Sequence, residues 1–285
     1  MDFLIFADDL TGAFDIAVNG RAYDRPIKVI WEKEGITSAN GDLIFCTENR
    51  EKNSIQAREL LRDVASITKE YCLPKLVYMK VDSMLRGNII EEIIAVDAVY
   101  DFDYIVIDVA YPHLGRTVCE GDVFINGNKL QNTDIVYDIN ATPTSNAFLN
   151  NLNKAFYGKV QCLKYYEKIE DNSKVLFFDT EREEEFIQII QKVSSHHNAR
   201  ILWVGSIGLY VALLRIYYKP RKVFCVIGSV SDISKKQIMK AQNDTTSLVE
   251  VALCNEKVEY YVQRILSLMK TGKNVILYSE RIRCQ

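Results

Sequence analysis

Histidine is scarce in this chain: three in 285 residues, two of them adjacent at His196-His197 in a polar stretch. The seven cysteines are scattered and form no Cys-x-x-Cys pair. Together these shortages argue against a histidine-based metal centre, a zinc site and a disulfide framework. Cys46, Cys225 and Cys254 lie in or beside apolar runs, where a reduced thiol packs as a small hydrophobe, so a reducing cytoplasm is the expected location. No run approaches the ~18 consecutive apolar residues of a membrane span. The start, Met1-Asp2-Phe3-Leu4, is acidic and enters a strand at once, unlike a signal peptide. A basic excess is missing too. With 35 Lys and Arg against 38 Asp and Glu the net charge is −3, which argues against a general nucleic-acid binder. Neither G-x-G-x-x-G nor the P-loop pattern occurs, and there are no internal repeats or low-complexity tracts.

What is present is an ordinary globular composition, 48% hydrophobic and 26% charged, in a chain long enough for one large domain or two ordinary ones. Short apolar runs alternate with helical patterns, the signature of an α/β fold with a largely parallel sheet. Three of the runs end in charged clusters. Phe3-Leu4-Ile5-Phe6-Ala7 leads into Asp8-Asp9-Leu10-Thr11-Gly12, and Leu43-Ile44-Phe45-Cys46 into Thr47-Glu48-Asn49-Arg50. Leu76-Val77-Tyr78-Met79 leads into Lys80-Val81-Asp82-Ser83-Met84-Leu85-Arg86-Gly87-Asn88. In an open α/β sheet ligands bind beyond the carboxyl ends of the strands, so these groups are expected to converge on one polar, anionic small molecule.

The spacing predicts helices over Gly12 to Asn19 with Thr11 as a cap, over 54–71 with Ser54 as N-cap, and from Asn88 to about Tyr100. A fourth strand is Tyr104-Ile105-Val106-Ile107. Thr117-Val118-Cys119 and Val123-Phe124-Ile125, set off by tight turns, read as a β-hairpin insertion over the strand ends, followed by a polar loop from Asn140 to Asn146. Alternation resumes with a strand at Val175–Phe178, a helix at 181–195, a strand at Ile201–Val204 and a helix from Ser206 to about Tyr217. Tyr217-Tyr218-Lys219-Pro220 is the boundary expected between a domain at 1–219 and a second at 221–285. The second reads as strand Val223–Ile227, helix 232–242, strand Leu248–Leu253, helix 256–271 and strand Asn274–Tyr278. A βαβαβ unit of that size normally continues into more strands, so this domain is expected to be incomplete.

Asp8 and Asp9 admit several roles: a general base with a ligand for a substrate hydroxyl, a magnesium ligand, or plain helix caps. The phosphatase arrangement, with a second Asp two positions after the first, fails because Leu10 stands there. Arg50 alone reads as a solvated loop charge. Lys80 and Asp82 share a side of the strand, Ser83 can cap the next helix, and Arg86 and Gly87 are expected in its first turn, where an anion is favoured. One Lys and two Arg at strand ends suit a carboxylate or phosphate, although ordinary ion pairs with Asp8, Asp9 and Asp82 account for the same residues. Gly205-Ser206-Ile207-Gly208 and Gly228-Ser229-Val230-Ser231 are small-residue turns that either cradle phosphate or merely join strand to helix.

Taken together, the motifs resemble the four-carbon acid sugar kinases: threonate, erythronate and 3-oxo-tetronate kinases. The resemblance rests on Ala7-Asp8-Asp9-Leu10-Thr11-Gly12-Ala13, on the run from Lys80 to Asn88, and on Gly115-Arg116-Thr117 followed by Asn126-Gly127. Asp138 to Ser145 and the two small-residue turns add support. It implies an α/β domain binding the sugar acid, a second domain binding ATP with Mg²⁺, and reaction in the cleft between them. By motif match Asp8 and Asp9 are the catalytic candidates. Asp9, Arg50, Lys80, Asp82, Ser83 and Arg86 are the substrate-binding candidates, and Gly228, Ser229 and Ser231 the nucleotide contacts; no protein metal ligand is assigned. Met84 stands where the family usually has Thr, and Pro112-His113-Leu114 replaces a more alanine-rich run. The expected function is thus ATP-dependent phosphorylation of a terminal hydroxyl of a four-carbon sugar acid in the cytoplasm, by a monomer or a homodimer. The alternatives are a sugar-acid-binding fragment without the ATP loops and, less favoured, a phosphohydrolase acting through Asp8.

Overall fold

Strands buried on both faces read as unbroken apolar runs, and here they form the centre of a sheet. A computed structural model of the chain describes residues 1–36, 41–72, 74–134, 144–196, 199–242, 246–251 and 258–279. It separates into two compact units, Met1–Lys219 and Pro220–Gln285. The first begins β1 (Phe3–Ala7), α1 (Leu10–Arg21), β2 (Ile27–Ile30), β3 (Asp42–Cys46), α2 (Ser54–Tyr71), β4 (Leu76–Lys80), α3 (Ile89–Tyr100) and β5 (Tyr104–Asp108). An antiparallel insert of β6 (Arg116–Cys119), β7 (Asp122–Ile125) and β8 (Asn128–Lys129) follows. The unit closes with α4 (Ser145–Ala155), β9 (Val160–Lys164), β10 (Val175–Asp179), α5 (Glu183–Ser194), β11 (Ile201–Gly205) and α6 (Ile207–Tyr217).

Eight strands form one parallel sheet in the order β2-β3-β1-β4-β11-β5-β10-β9. All five residues of β1, β3 and β10 are buried, as the apolar runs require. Right-handed crossovers place the helices of leftward and rightward connections on opposite faces. Accordingly α2 packs on α3, while α6 packs on both α1 and α5. Deletion of Phe3, Trp203, Tyr78 or Tyr210, each essentially inaccessible, would open the core between these layers.

Several local expectations are corrected. Helix α1 starts two residues earlier than the spacing implies, and its cap is Asp9, whose Oδ1 accepts from Gly12 N at 2.8 Å, not Thr11. Asn53 rather than Ser54 caps α2, accepting from Gln56 N at 2.9 Å. Ser83 does not cap α3, because α3 begins only at Ile89; Arg86 and Gly87 therefore lie in the loop before it. Instead the Asp82 carboxylate accepts from Met84 N and Arg86 N, at 3.2 and 3.3 Å, and holds that loop. Of the polar loop from Asn140 to Asn146, positions 140–143 lie outside the described residues, and Ser145 and Asn146 begin α4, capped by Thr144. Most of the Asp138 to Ser145 stretch and His197 lie outside as well.

The second unit is a parallel βαβαβ arrangement with β12 (Phe224–Ile227), α7 (Asp232–Ala241), β13 (Thr246–Val251), α8 (Val258–Lys270) and β14 (Asn274–Ser279), in the strand order β12-β14-β13. Its small core joins Ile238 and Ile276 to Ile227, Leu248 and Tyr278. Positions 252–253 of the expected 248–253 strand and the start of the 256–271 helix, with Cys254, lie outside the described residues.

Candidate functional site

The connection leaving β1 runs toward β2 on one side of the sheet, and the one leaving β4 runs toward β5 on the other. Neighbouring strands whose connections diverge leave a crevice beyond their carboxyl ends, and that crevice is where α/β sheets bind ligands. Here it is a cavity of about 360 Å³ lined by Asp9, Thr11, Gly12, Asp15, Arg50, Lys80, Asp82, Ser83, Met84, Arg86, Tyr111, Leu114, Arg116, Ser206 and Ile207. All six residues singled out for substrate binding, Asp9, Arg50, Lys80, Asp82, Ser83 and Arg86, meet in it. Asp8 does not line it. At 3% exposure it lies behind Arg50.

The pairing among these groups is specific. Arg50 Nε and Nη2 donate to Asp8 Oδ2 and Oδ1 at 2.8 and 2.9 Å, a two-point fork, and Nη1 donates to Asp9 Oδ2 at 2.7 Å. Arg86 makes a second fork, Nε to Asp82 Oδ2 at 2.8 Å and Nη2 to Oδ1 at 3.1 Å. Arg116, arriving on β6, donates from Nη1 to Ser83 Oγ at 2.6 Å. Lys80 is 8% exposed and donates to the Val81 carbonyl at 3.2 Å. Among the described residues it has no ion pair. Its ammonium lies against the first turn of α1, where the helix dipole disfavours a cation, so an incoming anion would relieve it. Below the cavity, the Tyr78 hydroxyl donates to the Ser206 carbonyl and the Ser206 hydroxyl to the Ala110 carbonyl, which ties β4, β11 and the end of β5 together.

Gly12 completes the wall. A Cβ built there would lie 2.6 Å from Asp9 Oδ1 and 2.9 Å from Lys80 Nζ, closer than any real Cβ contact. Gly12→Ala should therefore displace both charged groups and destabilise the first unit by about 1–3 kcal/mol in urea unfolding. An unchanged midpoint would show that this wall yields freely.

Burial pushes the Asp8 carboxyl up, against the Arg50 bonds and the charges of Arg50 and Lys80. Burial also pushes Asp82 up, but the Arg86 fork, with Arg50, more than offsets it and leaves Asp82 below the ordinary range. For Arg50 burial disfavours the cation, yet Asp8, Asp9 and Asp82 outweigh it and the pKa ends raised. Two buried carboxyls lie just behind the site. Burial, with the Asp8 charge, pushes Glu92 on α3 up to about 7. Burial likewise pushes Asp108 at the end of β5 up to about 8, against a bond from Thr180 Oγ1 at 2.7 Å and one from Ala110 N at 3.1 Å.

A second cavity, of about 480 Å³, opens at the amino ends of β4 and β11 and includes Trp203, Tyr100, Lys69, Lys75 and Arg200. Its cations are already engaged: Lys69 with the Val99 carbonyl, Lys75 with Asp2, and Arg200 with Asp101 and Asp103. The smaller, charged crevice is the better site. In the second unit, Gly228, Ser229 and Ser231 form the exposed turn from β12 into α7, where Ser231 caps the helix by accepting from Ser234 N at 3.2 Å. Among the described residues no cluster of three or more His, Cys, Asp or Glu could hold a metal, and no helix is long and apolar enough to cross a membrane.

Residues 3–213 match the family model of the sugar-binding N-terminal domain. The chain belongs to the four-carbon acid sugar kinases. It is 27% identical over 311 aligned positions to the D-threonate kinase of Salmonella typhimurium, covering 99% of this chain and 72% of that protein. To the D-threonate kinase of Cupriavidus necator it is 29% identical over 137 positions, 47% of this chain and 32% of that one. Among solved structures, a DUF1537 protein from Bordetella bronchiseptica, a domain-swapped dimer with bound citrate, superposes with a TM-score of 0.66 at 19% identity, over 97% of this chain and 72% of that chain. The Haemophilus influenzae protein HI1011, also of the DUF1537 type, gives 0.61 at 19% identity over 96% and 74%. These superpositions establish the family fold, and the kinase names belong to the relatives.

What motif reading missed in this family member is Arg116 as a wall of the cavity, together with Tyr111, Leu114 and Asp15. Arg116 had a signal, since Gly115-Arg116-Thr117 is part of the family resemblance, but nothing in the spacing shows where the insert folds.

Proposed function

We propose that this protein transfers the γ-phosphoryl group of ATP to a terminal hydroxyl of a four-carbon sugar acid, with the crevice between β1 and β4 as the acid's site. One observation carries the reading: a carboxylate, Asp9, and several cations line a single small cavity at the sheet's switch point. ATP, brought in with Mg²⁺, would supply the phosphoryl group. The small-residue turn of Gly228, Ser229 and Ser231 at the start of α7 suits its phosphates, offering backbone N–H groups and exposed hydroxyls. Mg²⁺ needs no dedicated protein cage, because it binds chiefly through phosphates and water.

Asp9 is the candidate base. Its Oδ1 is held by Gly12 N and its Oδ2 by Arg50 Nη1, so the carboxylate is fixed in orientation with lone pairs left to accept the hydroxyl proton. Phosphoryl transfer depends more on such positioning than on basicity. Asp8 then serves as the anchor of Arg50 rather than as a reacting group. The free thiols at Cys46, Cys72, Cys119, Cys162 and Cys225 agree with a cytoplasmic setting.

A coupled ADP-release assay with threonate, erythronate and 3-oxo-tetronate tests the proposal. Turnover with at least one acid is expected, and Asp9→Asn should lower kcat by about 10²–10⁴-fold. Acid binding without turnover would leave only the binding half standing. Absence of both binding and turnover would remove the reading.

A further inference from the structure

Four cations line the crevice, and their donors are not equally available. Arg50 spends Nε, Nη1 and Nη2 on Asp8 and Asp9. Arg86 spends Nε and Nη2 on Asp82 and has a further partner besides. Both guanidinium charges are thereby matched by carboxylates of the protein. The other two are not. Lys80 has its one bond to a carbonyl, and Arg116, among the described residues, has the single bond to Ser83 Oγ and no ion pair. Among the described residues, Lys80 and Arg116 are the cations of this cavity that make no ion pair, so a carboxylate entering it finds its available donors on them.

Arg116 is also held in place for such a role. Its backbone pairs with Tyr111 in both directions, N to O at 3.1 Å and O from N at 2.7 Å. The insert that carries it is pinned to the main sheet, because Val118 N donates to the Thr180 carbonyl at 2.9 Å. Asp179, at the end of β10, accepts from Glu120 N and Gly121 N at 2.6 and 2.9 Å. The bond to Ser83 fixes one end of the guanidinium, and among the described residues its remaining donors have no partner. A planar fork of this kind suits a carboxylate, while Lys80 acts as a point charge.

We infer that Arg116, on the inserted β-sheet, together with Lys80 grips the carboxylate of the sugar acid, and that Arg50 and Arg86 are internal ties that hold Asp8, Asp9 and Asp82 in place. This inference rests on the proposed sugar-acid reading of the cavity. It also gives the insert a purpose: it delivers the specificity-determining arginine, which tells an acid from the corresponding neutral sugar.

The test is calorimetric titration of the full chain with threonate, erythronate and threonamide, the last having the acid's carbon skeleton without its charge. Arg116→Gln should weaken the acid by about tenfold or more and leave threonamide within about twofold of wild type. Arg116→Lys, which keeps the charge and loses the fork, should fall between the two, and it decides the matter if the glutamine variant does not fold. If wild type binds acid and both variants bind it equally well, the clamp is overturned while the reading of the site survives. Equal losses for acid and amide would make Arg116 a structural residue and also overturn it. If wild type binds none of the acids, the sugar-acid reading falls and the clamp with it.

Discussion

Replacing Arg50 by alanine is expected to cost about 3–5 kcal/mol of stability in the first unit, the penalty for stripping one partner from a buried ion pair. The Asp8 side chain is 2% exposed and that of Arg50 18%, so neither charge falls back on water when the other is removed. The loss should be read by tryptophan fluorescence in urea, since both tryptophans, Trp31 and Trp203, lie in the first unit and Trp203 is buried. Two further results should accompany it. Asp8→Ala combined with Arg50→Ala should be no less stable than Arg50→Ala alone, because the orphaned carboxylate is gone. The deficit of the single variant should also shrink toward acid pH. Asp8 already has its pKa raised by burial, and without the Arg50 fork it is raised further, so protonation relieves the penalty. A deficit below about 1 kcal/mol at every pH would mark Arg50 as the solvated loop charge that its sequence context suggests.

That contrast shows what the residue order carries and what it withholds. Phe3–Ala7, Leu43–Cys46 and Leu76–Met79 declare themselves as strands because both faces of the sheet are covered, which removes every polar position from them. Ile27–Ile30 and Val160–Lys164 do not, since each is an edge strand that alternates with exposed or half-exposed positions and so looks like loop. Helix α4 is hidden by its asparagines at 146, 150, 151 and 153; only Ser145, Phe148 and Leu152 are buried to organise it. Likewise, that Asp9, Arg50 and Lys80 would meet follows from strand ends and parallel topology. Which cation ends up matched by which carboxylate does not, because it depends on side-chain directions across three loops and an insert. The cation read as a solvated charge proves to be the centre of the cluster, and Arg116, 33 residues past Ser83, reaches the site through a fold of the insert that its motif does not show.

Glu92 offers the second large effect, visible in the pH dependence of stability. It sits in the first turn of α3, 2% exposed, with Oε1 lacking a hydrogen-bond partner among the described residues. The groups around it are Asp8 from the end of β1 and Asn49, Arg50 and Lys52 from the loop after β3. Burial first, then the Asp8 charge, raise its pKa from the ordinary 4.5 to about 7, while Asn49, Arg50 and Lys52 lower it. Between those two values the folded protein binds a proton that the unfolded chain has released, so stability falls as pH rises. The contribution is fully present below 4.5 and is lost through about pH 7. At 1.36 kcal/mol per pH unit the span corresponds to about 3 kcal/mol. Glu92→Gln keeps the shape and removes the titration. The variant should match or fall slightly below wild type at pH 5 and exceed it at pH 8 by up to about 3 kcal/mol. Asp108, raised to about 8, adds a slope of the same sign but is present in both proteins, so their difference isolates Glu92. Urea unfolding at four pH values from 5 to 8 would settle it. Parallel profiles for wild type and variant would mean that Glu92 is ionised in the folded state throughout, with the positive charge of Arg50 and Lys52 enough to hold it there.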